Sequence, residues 1–103
     1  MALAQLAIRF FMQFEWDEAK NLENIRKHQI DFADVPDMFE GPMLIELDHR
    51  FDYGEDRWFG IGFLGSGVAV VVWTEGRDDV IRIISARRAN RHEQQRLKQY
   101  LSY

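Results

Sequence analysis

Three apolar runs follow one another with almost nothing between them. WFGIGFL (58–64), VAVVVWT (68–74) and VIRIISA (80–86) are separated only by Gly65-Ser66-Gly67 and by the five polar residues 75–79. Each run is rich in β-branched and aromatic residues, the composition of a pleated strand. Linkers this short cannot carry a crossover, so neighbouring runs must pair antiparallel. A fourth run, PMLIELDH (42–49), precedes them across a polar stretch, 49–56, that contains Gly54 and reads as a loop. The expectation is a four-strand antiparallel meander. Its third strand, 68–74, has almost no polar residue and should lie centrally, covered on both faces.

The flanks supply helices. Residues 4–16 alternate at period two, and 12–16 are expected as a short N-terminal strand. Asp17 is a helix N-cap for DEAKNLENIRKH, with Ala19, Leu22 and Ile25 near one face and a stop around His28 and Gln29. Asp31 caps a second short helix through Phe39, which Pro36 should bend or reduce to a turn because it removes a backbone donor. Gly41-Pro42 ends it. Asn90 with Glu93 three residues on is a capping box, opening RHEQQRLKQYL with Leu97, Tyr100 and Leu101 as its apolar stripe. The fold class is therefore α+β: a small antiparallel sheet, two N-terminal helices and a C-terminal helix. The 103 residues form one domain, with 1–11 read as an N-terminal extension.

Composition removes several functions. The chain has no cysteine, which excludes disulfides and thiolate metal sites. His28, His49 and His92 form no metal-ligand spacing, so neither metal nor cofactor is expected. Neither a GxxxxGK phosphate loop nor a GxSxG elbow is present. No run approaches the roughly 20 apolar residues of a membrane span, and no secretory leader is visible, so the expected location is cytoplasmic.

Charge is divided unevenly. Residues 1–56 carry five Lys/Arg against thirteen Asp/Glu, a net −8, whereas 57–103 carry eight against four, a net +4. Such asymmetry hints at nucleic-acid contact. RIISARRANRHE (82–93) gathers four of the arginines. Strict alternation puts Arg82 on one face with Val80, Ile84 and Ala86, and Arg87 on the other with Ile81, Ile83 and Ser85. An arginine inside an apolar strand needs a cleft or a carboxylate partner, for which Glu46 is a candidate. Guanidinium groups at a sheet edge and a helix N-terminus would make a phosphate-binding surface.

FEWDEAKNLENIRKHQIDF (14–32), GEDRWFGIGF (54–63) and VVVWTEGRDDVIRIISARRANRHE (70–93), in this order, resemble the BrnT family. These are small ribonuclease toxins of type II toxin–antitoxin systems with a RelE-like fold. The likeness runs from about Gln13 to Tyr100. It implies RNA cleavage without metal, a cognate ribbon–helix–helix antitoxin, and contact with operator DNA only through the antitoxin complex. Cleavage through the 2′-OH needs a base, a stabiliser of the phosphorane and an acid for the leaving oxygen. Arg57 and Arg82 are the candidate stabilisers, and His28 or Glu55 the candidate base. Lys27, Arg77, Arg87, Arg88 and Arg91 are candidate RNA contacts. A non-catalytic basic-faced binding module is the alternative. Three features depart from the family pattern: residues 1–11 are additional, Pro36 interrupts a helix, and Gln29 stands where a glycine is common.

Overall fold

The computed structural model describes residues 13–50 and 54–102; the expected extension, 1–11, lies outside the described residues. In chain order the elements are β1 (Gln13–Glu15), α1 (Glu18–His28), a 3₁₀ segment (Phe32–Glu40), β2 (Met43–Leu47), β3 (Trp58–Leu64), β4 (Gly67–Glu75), a 3₁₀ turn (Arg77–Asp79), β5 (Val80–Arg88) and α2 (Arg91–Leu101). The strands form one sheet in the order β1-β5-β4-β3-β2. The α+β class and the meander are as the sequence predicts, and β4 is central. The sheet is not antiparallel throughout, because β1 pairs parallel with β5. Sixty-odd residues separate those two strands, so the short-linker argument that orients the meander does not reach β1.

The caps form where expected. The Asp17 carboxylate accepts from the Lys20 amide at 3.0 Å, and Asp31 accepts from Ala33 at 2.9 Å. Asn90 and Glu93 close a reciprocal capping box. The β3–β4 hairpin is a two-residue turn at Gly65-Ser66, with Gly65 at φ +61°. Glycine is required there, since the first central residue must be left-handed for the turn to match the strand twist. Pro36 has the anticipated effect: the second helix is 3₁₀ rather than α. Gln29, at the C-cap of α1, adopts φ 56°, ψ 34°. That left-handed geometry is the one glycine serves without penalty.

Two apolar layers flank the sheet. The larger lies between the sheet and the 3₁₀ segment, with Phe32, Val35, Met38, Trp73, Ile81 and Ile83 at its centre. Gly60 and Gly62 in β3 make room in it: a Cβ on Gly60 would stand 3.0 Å from the Trp73 ring, and one on Gly62 2.5 Å from Met43 Cγ. The smaller layer, Ile61, Val70, Ala89 and Leu97, lies under α2. At 11 residues α2 is about 16 Å long, so it covers only part of that face. Of its expected stripe, Leu97 is buried but Tyr100 is exposed.

α1 corrects the sequence reading most. Its expected apolar face is not the packed one, since Leu22 is 62% exposed while Asn21 and Asn24 are buried. The helix closes a sheet edge by hydrogen bonds. β1 occupies the outer edge of β5 only from Val80 to Arg82. Beyond it, Asn24 Oδ1 accepts from the Ala86 amide at 3.1 Å and Asn24 Nδ2 donates to the Ala86 carbonyl at 2.9 Å. Asn24 Nδ2 also donates to the Ile30 carbonyl at 3.0 Å. One turn earlier, Asn21 Nδ2 donates to Asp31, and Asn21 Oδ1 accepts from the Phe32 amide. Asn24→Ala therefore strands buried backbone groups that water cannot reach. Each costs about 1–3 kcal/mol, so urea denaturation should show a loss of about 2–4 kcal/mol, against under about 0.5 kcal/mol for the exposed Leu22→Ala. Equal, small losses for both would contradict the edge-closing role.

Candidate functional site

The face that α2 leaves open holds a cleft of about 520 Å³. Its floor is Phe59, Val70, Val72 and Ser85 from β3, β4 and β5, and its walls are Glu46 to Arg50, Arg87 and Glu93. A bulge builds it. Val72 pairs with Ser85 but Trp73 pairs with Ile83, leaving Ile84 extra. The bulge resets alternation along β5, as such insertions do. Ala86 consequently joins Ile81 and Ile83 in the large core, while Ser85 and Arg87 line the cleft. The strict alternation expected from sequence is thus overturned, and Arg82 and Arg87 share the cleft face.

Register places the other strand residues. Phe59, Val72 and Ser85 lie side by side across β3, β4 and β5. Two residues along each strand come Arg57, Thr74 and, past the bulge, Arg82. The Asp48 amide donates to the Arg57 carbonyl at 2.7 Å, extending the β2–β3 ladder by one rung. Arg57 and Arg82 are therefore two strands apart, about 10 Å between backbones. Arg57 Nε stands 3.5 Å from Glu55 and Arg82 Nη1 3.8 Å from Glu15. Glu46 is not the partner of Arg82: it accepts from Arg96 of α2 at 2.6 Å.

Two clamps border the cleft. Glu93 accepts both Arg87 terminal nitrogens, at 2.8 and 2.7 Å, while also accepting the Asn90 amide. Asp48 accepts Nε and Nη2 of Arg50, each at 2.9 Å, and the Arg50 amide at 3.1 Å. The Arg87 hydrogen bonds hold the Glu93 carboxyl below the usual carboxylate range, against partial burial. Glu93 in turn raises Arg87, opposed by desolvation and by the positive charge of Arg50.

The remaining sequence-predicted residues do not join this group. α1 starts beside the end of β1 and passes Ala86 at Asn24, so Lys27 and His28 lie toward the Arg88 end of β5, away from Arg82. Lys27 is 3.5 Å from Glu23. Arg88 donates to the Leu64 carbonyl at 3.2 Å and borders a separate hollow with Gln29 and Asp34. Arg91 borders an apolar groove beside α2 with Phe63 and Leu101. Arg77 lies in the exposed β4–β5 turn. The four arginines of RIISARRANRHE are thus not one patch: Arg82 and Arg87 share the cleft face, Arg88 and Arg91 lie elsewhere, and the start of α2 is occupied by the Asn90–Glu93 box. Sequence reasoning passed over Asp48 and Arg50, for which the short Asp-His-Arg spacing was the signal. Ser85, inside a strand with no obvious base beside it, reads from sequence as packing or hydrogen bonding, and the structure places it on the cleft floor.

Against known proteins, the sequence model of the ribonuclease toxin BrnT of type II toxin–antitoxin systems matches residues 16–93. The chain belongs to the BrnT family. The matched segment contains every residue that lines the cleft and ends at Glu93. The crystal structure of the Brucella abortus ribonuclease toxin BrnT, determined at 1.1 Å, is similar with a TM-score of 0.62 and 29% identity, over 78% of this chain and 99% of that one. No curated protein matches. The three sequence segments and the α+β fold agree in this BrnT-family chain.

Glu93 sets a pH signature. A carboxyl depressed in the folded state adds stability above its unfolded value, about 4.3, and loses it as pH falls through the lower folded value. Glu93→Gln keeps a capping-box side chain but removes the charge facing Arg87. At pH 7 it should cost about 1 kcal/mol once partial exposure of Arg87 is discounted. The gap between wild type and variant in urea unfolding should close below about pH 4. A gap independent of pH would mean the pair contributes through shape alone.

Proposed function

We propose that this BrnT-family chain is an endoribonuclease that cuts RNA without metal at the sheet face bearing the cleft. The observation that carries this reading is the register that puts Arg57, Arg82 and Arg87 on one sheet face, with Arg87 lining the cleft that α2 leaves open. The substrate's own 2′-OH attacks the adjacent phosphorus, and the bond to the 5′-oxygen breaks. Charge grows on the phosphorane oxygens as this happens. Fixed guanidinium groups suit that demand, since they stay protonated and present forked donors to phosphate oxygens. Arg57 and Arg82 are assigned this role because strands hold them rigidly. Glu55, beside Arg57, is assigned as the base for the 2′-OH, and the leaving 5′-oxygen takes its proton from solvent water. His28, the other candidate base, lies with Lys27 toward the Arg88 end of β5, away from Arg82, and is given no part in the cleavage step; Arg77 and Arg91 are assigned to attraction of the RNA chain. An antitoxin of the ribbon–helix–helix class is proposed to cover this face and to carry the pair to operator DNA. An RNA substrate fits a cytoplasmic location; among the described residues no helix is long and apolar enough to cross a membrane.

Single-turnover cleavage beside equilibrium binding tests the assignments. Cleavage should persist in EDTA. Arg57→Lys keeps charge but loses the fork, and should slow cleavage by about a hundredfold with little change in RNA affinity. Arg82→Ala should abolish cleavage in a chain that still folds. Arg91→Ala should weaken binding and leave the rate at saturating RNA intact. RNA that is bound with steep salt dependence yet never cut would establish the alternative, a binding module.

A further inference from the structure

Several ion pairs border the cleft-bearing face, and two differ from the rest. In the Glu15–Arg82, Glu55–Arg57 and Glu46–Arg96 pairs the carboxylate side chain is the more exposed partner. Anything approaching those pairs meets negative charge at least as readily as positive. In the two clamps the order is reversed. The Asp48 side chain is 3% exposed and its Arg50 partner 60%; Glu93 is 11% exposed and Arg87 36%. The anions stand behind and the cations in front.

That order has a physical consequence. A buried carboxylate that takes two guanidinium hydrogen bonds fixes the plane of the arginine, so little side-chain entropy remains to be lost when a ligand binds. Arg50 and Arg87 both border the same cleft. They are near enough for the charge of one to weigh on the other. The result is an arrangement of two guanidinium groups bordering one hollow, each held by its own carboxylate. The folding chain maintains it at Arg50 with three hydrogen bonds to Asp48 and at Arg87 with the capping-box glutamate.

We propose that Arg50 and Arg87 form a two-armed seat for one backbone phosphodiester of the RNA chain, with Asp48 and Glu93 as the residues that position them. This rests on the reading that the cleft-bearing face takes RNA, and it adds a residue, Arg50, and a division of labour. The seat anchors one phosphate over the floor of Phe59, Val72 and Ser85. Arg57 and Arg82, one step along the strands, meet a different part of the chain. A single phosphate gripped from two sides makes a specific demand: losing either arm releases most of the grip.

The test is equilibrium binding of a short 2′-O-methyl RNA, which has no free 2′-OH to react, over a range of salt. The chains are wild type, Arg50→Gln, Arg50→Lys, Arg87→Gln, the double Arg50→Gln/Arg87→Gln variant and Asp48→Asn, with urea midpoints recorded for each. Either arginine variant should bind about tenfold more weakly. The double variant should be within about threefold of the weaker single one, rather than a hundredfold below wild type. The double variant's salt slope should fall by about 0.7, one single-strand phosphate. Asp48→Asn keeps Arg50 but loosens it, and should lower affinity while the chain stays folded; Arg50→Lys, with charge but no fork, should fall between wild type and Arg50→Gln. Multiplying losses, or wild-type affinity in a folded Arg50→Gln, would overturn the seat. If wild type cuts unmodified RNA while Arg50→Gln binds normally, only the seat fails. If wild type neither binds nor cuts RNA, the functional reading fails with it.

Discussion

One extra residue in β5 decides which arginines share the face that bears the cleft. The bulge opposite Val72 and Trp73 sends Ala86 into the large core and turns Ser85 and Arg87 outward, onto the face that already bears Arg82. Without it Arg87 would point into the layer around Trp73 and Ile83, where an unpaired guanidinium could not be tolerated. The bulge needs support, because an extra residue loosens the ladder on both sides. Asn24 supplies it. Its amide takes both the N–H and the C=O of Ala86, two residues past the insertion, and so fixes which way the strand continues. A helix side chain thus does the work of a missing sixth strand.

The second determinant is unequal cover. The 3₁₀ segment closes one face of the sheet over a core of large apolar side chains, whereas α2 spans only part of the other. The cleft is what remains. Its floor is apolar because β4 must be apolar to lie centrally, and its walls are charged because they face water. The carboxylates that shape those walls also do structural work: Glu93 caps α2, and Asp48 continues the β2–β3 ladder through its backbone. Fold and site therefore share residues, and damage to the site should be felt in stability.

Much of the fold was legible in the sequence. Short polar linkers between β-branched runs dictated the meander, and Asp17, Asp31 and Asn90 announced their helices through local hydrogen bonding that needs no tertiary context. What was not legible depended on distant partners. The parallel pairing of β1 joins residues far apart in the chain. The packed face of α1 is made of asparagines, and a pattern search for apolar periodicity selects Leu22, which is exposed. At the site, Arg82 was singled out because it interrupts an apolar strand, and Arg57 through its family motif. Arg50 carried no such mark, since its meaning comes from a buried Asp48 and from Arg87 across the cleft. The gathering of four arginines in 82–93 suggested one basic patch, but the bulge brings only Arg82 and Arg87 to one face, while Arg88 and Arg91 go to other surfaces.

The central claim is that RNA lies on the face that α2 leaves open. Backbone amide NMR of the labelled chain, titrated with a 2′-O-methyl RNA, addresses it residue by residue. The account predicts the largest shifts at Arg50, Arg57, Phe59, Val72, Ser85 and Arg87, with the amides of Lys27, His28 and Arg88 moving little. Shifts concentrated at Lys27, His28, Gln29 and Arg88, with the cleft floor unmoved, would place the RNA at the opposite end of the sheet and contradict it.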